Sequence, residues 1–531
     1  MHRSSLMGFR RLTVLATVLA AAAVAPWSAQ HTARAASTTL TIAISAEPDT
    51  LDPQVTGAAV AGQIDAYIGD GLVALSPKNK IVPDLAKSYT VSTDGLLYTF
   101  TLRQGVTFQD GTALDAAAYV ATFKRLLNPA TKAAVEAGRL GPITAVTATG
   151  KYTFTIRLAK PYVFLLYNLT DSNYIPLSPT ALKAEGVGFG RKPVSTGPWQ
   201  VQQWQTGSQI VLVRNPTYHW GPSFVQSGPP RIDRLVFRIL PNSAASTDAL
   251  QSGEVDVLQL PSASVPRIRA TGQYTTLKAL QDGVGFLEFN VTKAPFTDIR
   301  VRQAFNDAIN KQAVAQVALN GLGVPVYGVL SPTMIGYWPG IKAYGYAYNP
   351  QKALALLAQA GYVMKNGVEQ KNGTPLTFTA VTFAFEPFQK TALVVQAQLK
   401  QIGVTMNIQA QDLASAIATE QQGKSAADFE EYIYPLPDIF YIWFHSSQIG
   451  DGFADSYYRD PSLDALIVKM RTTSDSAARA ALLVRLEKYV SAKALWVPLW
   501  DPYVYTALQP RVKGAFLDAR GRVILNNVAL S

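Results

Sequence analysis

Residues 85–123 read LAKSYTVSTDGLLYTFTLRQGVTFQDGTALDAAAYVATF. Within this stretch Tyr98, Phe100 and Leu102 alternate with Thr99, Thr101 and Arg103, so every second side chain falls on one apolar face. A period of two marks a half-buried strand. A nearly identical hexapeptide, YTFTIR, stands 54 residues later at 152–157 and puts Tyr152, Phe154 and Ile156 on one face. The residues after the two differ entirely, QGVTFQDG beyond the first and LAKPYVFLL beyond the second, so the likeness does not extend into a repeating unit. Two strands of one sheet with the same burial requirement are the simpler reading.

The chain around that sheet has 531 residues, of which 48% are apolar and 16% charged, enough for more than one core-bearing lobe and too apolar for disorder. Its first 35 residues differ from the rest. Arg3, Arg10 and Arg11 precede the apolar run LTVLATVLAAAAVA (12–25), and ARA at 33–35 supplies small residues for cleavage. This is the pattern of a secretory leader, removed on export. Fourteen apolar residues at about 1.5 Å each fall short of a hydrocarbon core about 30 Å thick, which argues against a retained span. FRR at 9–11 is half of a twin-arginine signal, so the export route stays open.

The chain has no cysteine, which excludes disulfides, thiolate metal sites, a cysteine nucleophile and a lipid-acceptor cysteine after the leader. An exported protein, periplasmic or associated with the cell surface and not lipid-anchored through cysteine, is expected. Four of the net +11 charges are Arg3, Arg10, Arg11 and Arg34, so +7 remains once the leader is gone. The remaining basic residues are scattered singly, and no nucleic-acid partner is expected.

Farther along, TLTIAIS (39–45) alternates Leu40, Ile42 and Ile44 as a strand does. Residues 298–321 carry Val301, Ala304, Phe305, Ala308 and Ile309 at helical spacing, with Thr297 or Asp298 as cap and Gly321 as stop, predicting one helix. Asn349, Pro350 and Gly361 bracket a second helix, and Glu386, Pro387 and Gly403 a third in the same arrangement. Helices and strands alternate, which argues for a mixed α/β protein. STGPW (195–199) and QSGPP (226–230) are read as crossovers between lobes.

Catalytic signatures are thin. His219 and His445 are the histidines left after the leader, no HExxH or GxSxG occurs, and GVGFG (186–190) lacks the strand and capped helix of a phosphate loop. No metal site and no cofactor are expected. Glu430 with Glu431, or Asp451 with Asp455, are carboxylate pairs that spacing alone cannot set across a glycosidic bond. The aromatic stretch YIYPLPDIFYIWFHSS (432–447) is either core or the lining of a concave pocket. Asp438 within it is either a helix N-cap or a polar group aimed at a ligand.

Taken together, residues 85–123 closely resemble the signature of extracellular solute-binding proteins of the oligopeptide, dipeptide and nickel type (family 5), which serve ABC importers. EPDTLDP (47–53), STGPW, RNPTYHW (214–220), ALQSGEVDVL (249–258), FNVTKAPFTDIRVRQAFNDAIN (289–310), NPQKALALLAQAGY (349–362) and LKQIGV (399–404) come in the order that family shows, so the resemblance spans roughly residues 40–515. It implies an α/β, two-lobed, periplasmic-binding-protein-like clamshell of class II type with an additional α/β domain. The first lobe would comprise 37–78, 188–282 and 500–531, the additional domain 79–187, and the second lobe 283–499. Both hexapeptides fall in the additional domain.

The implied function is capture of a peptide or similar small solute between hinged lobes and delivery to a membrane permease with its cytoplasmic ATPase. Oligosaccharides and metal chelates are other ligands of the family, and a monomer is expected. The ligand-contact candidates are Tyr434, Asp438, Phe440, Tyr441, Trp443, Asn290 and Phe385. Peptide-binding relatives pair the ligand's amino terminus with an aspartate four residues before the loop's second proline. Anchored on Pro437, that position holds Ile433. Either a free amino terminus is not the recognised group, or Asp438, Glu430 or Glu431 replaces the missing acid, because a buried ammonium needs a counter-charge. The rival reading is a secreted hydrolase of oligosaccharides or peptides using a carboxylate pair.

Overall fold

A computed structural model describes residues 38–450 and 452–531, and of Ala134 and Val135 the backbone alone. The leader read at 1–35 and Asp451 lie outside the described residues. Among these residues no helix is long and apolar enough to cross a membrane.

The two hexapeptides are hydrogen-bonded neighbours. Leu97–Leu102 and Thr153–Leu158 pair antiparallel with Tyr98 opposite Ile156 and Phe100 opposite Phe154. Ala86–Val91 and Ile143–Gly150 flank them and complete a four-stranded sheet. Phe100 and Phe154 stack with ring centres 5.3 Å apart. Helix Ala116–Leu127 covers this face, and its Tyr119 stacks on Phe154 at 5.3 Å. The helix starts where Asp115 accepts the Ala118 N–H at 2.9 Å, as an N-cap aspartate does. The two strands read alike because both lay the same alternation under one helix. Tyr152, just before its strand, is only half-buried.

A second, larger sheet orders its strands Thr405–Gln411, Thr377–Phe383, Ala427–Ile433, Gly283–Phe289, Trp496–Leu508, Val257–Gln259, Thr39–Ile44, Arg234–Ile239, Gln209–Arg214 and Trp199–Gln205. Thr275–Leu280 and Gly323–Pro325 also pair with Trp496–Leu508. That thirteen-residue strand belongs to both halves of the sheet. Its first part pairs with Gly283–Phe289, and Tyr503 to Leu508 pair with Thr275–Leu280. Gln281 and Asp282 are all that separates Thr275–Leu280 from Gly283–Phe289, so the chain passes between halves twice, side by side. The Gln281 N–H donates to the Pro502 carbonyl at 3.1 Å and faces Asp501 Oδ1 at 3.3 Å.

STGPW and QSGPP are therefore not where the chain passes between the lobes. QSGPP joins Gln209–Arg214 to Arg234–Ile239, which pair antiparallel within one half. STGPW is the seam between the four-stranded insert and the large sheet. Gly197 donates to the Ile68 carbonyl at 2.7 Å, and a Cβ on it would stand 2.4 Å from the Ile68 carbonyl carbon, so only glycine fits. Gln109, from the signature stretch, stitches the same seam by donating to Ile68 O at 2.7 Å and Trp199 O at 2.8 Å. Proline and glycine mark sharp turns of any kind, whereas the real crossings run through extended strand.

The helix read at 298–321 is two, Ile299–Ala308 and Lys311–Ala318. Asn310 ends the first run, because its side chain accepts the Ala313 N–H at 3.0 Å while its own N–H goes to Gln398 Oε1 at 2.7 Å. The apolar period continues across the break and hides it. Asn349 and Pro350 start Pro350–Gln359 as read, with Gly361 at φ +89° beyond its end. In the third helix, Phe388–Gln401, Pro387 holds the cap position and Glu386 pairs instead with Lys390 at 2.7 Å.

Each half of the large sheet has its own apolar core. A third core is continuous from Phe100 and Phe154 of the insert to Phe286, Trp443 and Trp496 of the second half. Phe154 is fully buried between Phe100 and Tyr119, so Phe154→Ala should cost about 3–5 kcal/mol in denaturant unfolding. Thr101→Ala, on the exposed face of the same sheet, should stay within about 0.5 kcal/mol. At the crossing, burial pushes the Asp501 carboxyl up to about 7. An acid whose folded value is raised holds its proton longer than the unfolded chain does, so stability falls as pH rises from about 4 to about 7. The slope from this group is at most about 1.4 kcal/mol per pH unit. Thermal midpoints measured across that window should fall, and Asp501→Asn should flatten the profile.

Candidate ligand-binding cleft

Where the two crossings meet the insert, the protein forms a half-open cavity of about 710 Å³. This lies within the range of small-ligand sites. Its floor is the large sheet at Gln259 and Thr506, with Gln281 and Asp282 at the crossing. One wall is helix Ala59–Ile68 and segment 69–75, a second is segment 167–175 of the insert, and a third is segment 517–526. Ile433, Tyr434 and Pro435 reach in from the end of Ala427–Ile433. The Tyr434 N–H donates to the Asp282 carbonyl at 3.1 Å, so this tip is tied to the crossing.

The walls carry charges of both signs. Arg520 is enclosed, pairs with Asp171, and donates to Thr170 Oγ1 at 2.7 Å and the Tyr167 carbonyl at 3.2 Å. Burial alone would raise Asp171, but Arg520 and Arg522 outweigh it and hold the carboxyl below its usual range. Arg522 pairs with Asp518 at 2.7 Å. Arg139 meets Glu136 at 3.4 Å and keeps 46% of its side chain exposed, which makes it the least committed of these guanidinium groups. Opposite, burial pushes Asp70 up to about 7 although Tyr218 and Trp220 donate to it at 3.3 and 3.1 Å. Those two donors belong to RNPTYHW, and Trp220 also donates to the Thr196 carbonyl at 3.0 Å. The turn thus closes the back of the cavity against STGPW.

Of the seven ligand-contact candidates, Tyr434 borders this cavity. Phe440 and Trp443 are buried in the core, with Trp443 edge-on to Phe286 at 5.2 Å. Asn290 is buried, donates to the Ser425 carbonyl at 3.2 Å and accepts from the Thr292 N–H at 3.1 Å. Phe385 is 47% exposed and lies parallel to Phe383 at 5.6 Å, away from the cavity lining. Asp438 stands at a helix N-cap position, yet its side chain caps nothing. It pairs with Arg471 at 2.7 Å and accepts the Tyr162 hydroxyl at 3.1 Å. Tyr441 lies under the same guanidinium, 3.7 Å from its ring centre. Since Tyr162 belongs to the insert, and Val163 donates to the Arg471 carbonyl at 3.1 Å, this group joins the insert to the second half.

The acids considered as replacements for the one missing at Ile433 also lie off the cavity lining: Asp438 at that junction, Glu430 in the core face of its strand, and Glu431 beside Asp501. Glu430 and Glu431 are adjacent on a strand and point to opposite faces, which separates them as a pair. No motif in the sequence announces Arg139, Arg520, Arg522 or Asp171. The alternating charges of DARGR at 518–522 are the one local signal that could have found two of them.

The architecture is shared with solved structures. NikA of Brucella suis, in complex with Fe(III)-EDTA, superposes with a TM-score of 0.81 at 23% identity, over 93% of this chain and 100% of that one. DppA of Helicobacter pylori, in complex with the peptide STSA, gives 0.74 at 26% identity, over 92% and 98%. In sequence, the glutathione-binding protein GsiB of Pectobacterium atrosepticum is 28% identical over 523 residues, covering 96% of each chain. The model of bacterial extracellular solute-binding proteins, family 5 Middle, matches residues 80–451. The clamshell expected from the ordered motifs is thus the fold observed, and the chain belongs to the bacterial extracellular solute-binding proteins of family 5.

Proposed function

We propose that the protein captures a short peptide-like solute in the 710 Å³ cavity and releases it to an ABC permease coupled to a cytoplasmic ATPase. The observation that carries this reading is the cavity's position at the paired crossings, with walls from the first lobe and the insert, a tip from the second lobe, and charges of both signs. A solute over which the lobes close there loses water on every side, so its polar groups must be met by the walls. Arg139 is suited to a ligand carboxylate, and Arg520 and Arg522 add positive field behind it. Peptide- and glutathione-binding relatives support the solute class.

On this reading the first lobe is 37–78, 188–282 and 500–531, the insert 79–187, and the second lobe 283–499. The lobes rotate about 281–282 and the Asp501–Tyr503 part of the shared strand. The contact of Tyr162 with Asp438 and Arg471 holds the insert to the second lobe when the cleft is closed. The protein acts as an exported monomer that binds and releases without chemistry, and no specific observation favours the hydrolase. Ile433, 57% exposed at the cavity tip, supplies no carboxylate for a ligand ammonium.

Native mass spectrometry of freshly purified protein, followed by calorimetry with a peptide panel, tests the reading. A binding peptide at 100 times its Kd should stabilise the fold by about 2.7 kcal/mol. Arg139→Ala should weaken binding about tenfold or more, the value of one charged hydrogen bond, with the thermal midpoint of the free protein unchanged. N-acetylated and free peptides should bind alike, and Ile433→Asp should create a preference for the free amino terminus. Tyr162→Phe should speed release, raising Kd about fivefold for one lost hydrogen bond. Saturable consumption of a peptide, or retention of full affinity in Arg139→Ala, would count against the reading.

A further inference from the structure

Five carboxylates converge inside the second lobe, away from the cleft. Asp428 and Glu430 share one face of Ala427–Ile433, and Glu288 of Gly283–Phe289 stands in register opposite Asp428. Glu420 comes from helix Leu413–Gln421, and Asp455 from the loop that precedes helix Pro461–Thr472. One oxygen each of Glu420, Glu430 and Asp455 lies within 4.8 Å of the other two. All five residues are buried. Among the described residues none of them forms an ion pair.

Proximity of acids would not by itself define a site, but the hydrogen bonding here is incomplete in a specific way. Glu288 is 0% exposed and both of its oxygens lack a donor. Its place directly opposite Asp428 puts its side chain on the same face of the sheet as Asp428 and Glu430. The Trp496 indole and the Ser456 amide face it from outside hydrogen-bond geometry. One oxygen each of Glu420, Asp428, Glu430 and Asp455 is likewise without a donor, while Ser425 Oγ donates to the other oxygen of Asp428 at 2.8 Å. Buried acceptors without donors are costly, and like charges gathered in low dielectric are costlier still.

A cation removes both costs at once, because each orphaned oxygen becomes a ligand. The donor set is oxygen throughout, with no imidazole or thiolate, which selects a hard cation. Mg²⁺ holds its water and is bound by one or two carboxylates, whereas Ca²⁺ accepts six to eight oxygens in flexible geometry. We propose that Glu420, Glu430 and Asp455, backed by Glu288 and Asp428, form a structural Ca²⁺ site in the second lobe. The site fixes the strand whose far end presents Ile433 and Tyr434 to the cleft, three residues or about 10 Å beyond Glu430. It stands independently of which solute the cleft takes.

Terbium luminescence on the full protein stripped with EGTA tests this, since Trp496 and Trp443 flank the region and can transfer excitation to a bound lanthanide. Indole excitation should give saturable Tb³⁺ emission that Ca²⁺ displaces and equimolar Mg²⁺ does not. Ca²⁺ should raise the thermal midpoint by several degrees, and EGTA should reverse the rise. Glu430→Gln combined with Asp455→Asn should weaken Tb³⁺ binding by about tenfold or more. If that pair does not fold, Glu420→Gln, on a helix outside the sheet, and the wild-type titrations still decide. Folded wild-type protein with neither emission nor a Ca²⁺-dependent midpoint overturns the proposal and assigns the cluster to shared protons. Emission that survives all of these substitutions overturns it as well, placing the ion elsewhere.

Discussion

The backbone hydrogen bond from Gln281 to Pro502 marks the point on which the rest of the molecule depends. Around it, two strands pass side by side from one half of the large sheet into the other. A sheet joined along many strands would be a rigid slab, and one joined by loops would leave its halves loosely related. Two adjacent strands, hydrogen-bonded to each other, define an axis: they resist shear while allowing the halves to swing. Each half keeps its own apolar core on either side of that axis. The insert meets the second half through Tyr162, Asp438 and Arg471 and through the apolar core that the two share. The cavity opens beside the axis, with the Ile433–Pro435 tip of the second half reaching into it.

Much of this fold is legible in the sequence, and for definite reasons. Period-two alternation places the two hexapeptides on one sheet because a sheet face under a helix demands it. Asn349 and Pro350 announce their helix because caps act locally and leave a local trace. The break at Asn310 is not legible, since an amphipathic period spans two collinear-looking helices without interruption. The crossings escape notice for a related reason. Extended backbone leaves no punctuation, whereas the tight turns at STGPW and QSGPP leave a great deal and mark a seam and a connection within one half.

The site is harder to read than the fold. The stretch from Tyr432 to Ser447 stands out for its aromatic rings, yet core and pocket draw on the same residues. Burial decides between them, and burial is a property of distant chain: Trp443 is enclosed by Phe286 and Trp496, from strands far away in sequence. Tyr434 escapes because it sits at the end of a strand whose tip projects past the sheet. The charged walls come from segments with no motif in common, 136–139, 167–175 and 517–526, which only the fold brings together. The absent acid at Ile433, by contrast, is visible at once, because it is a departure at a single counted position. Asp438 illustrates the limit of counting. Its position is a helix start, but its side chain answers to Arg471, which comes from another helix.

The strand Trp496–Leu508 lies in the middle of the large sheet, although it is among the last elements in the chain. Its partners begin at Thr39–Ile44 in one half, through Val257–Gln259, and at Gly283–Phe289 in the other. Neither half can be completed while that strand is still missing, so the contacts that define the sheet are of very long sequence separation. Such topologies fold slowly. The large sheet cannot close until residues 496–508 are in place, and the same late strand then joins its two halves and forms their pivot.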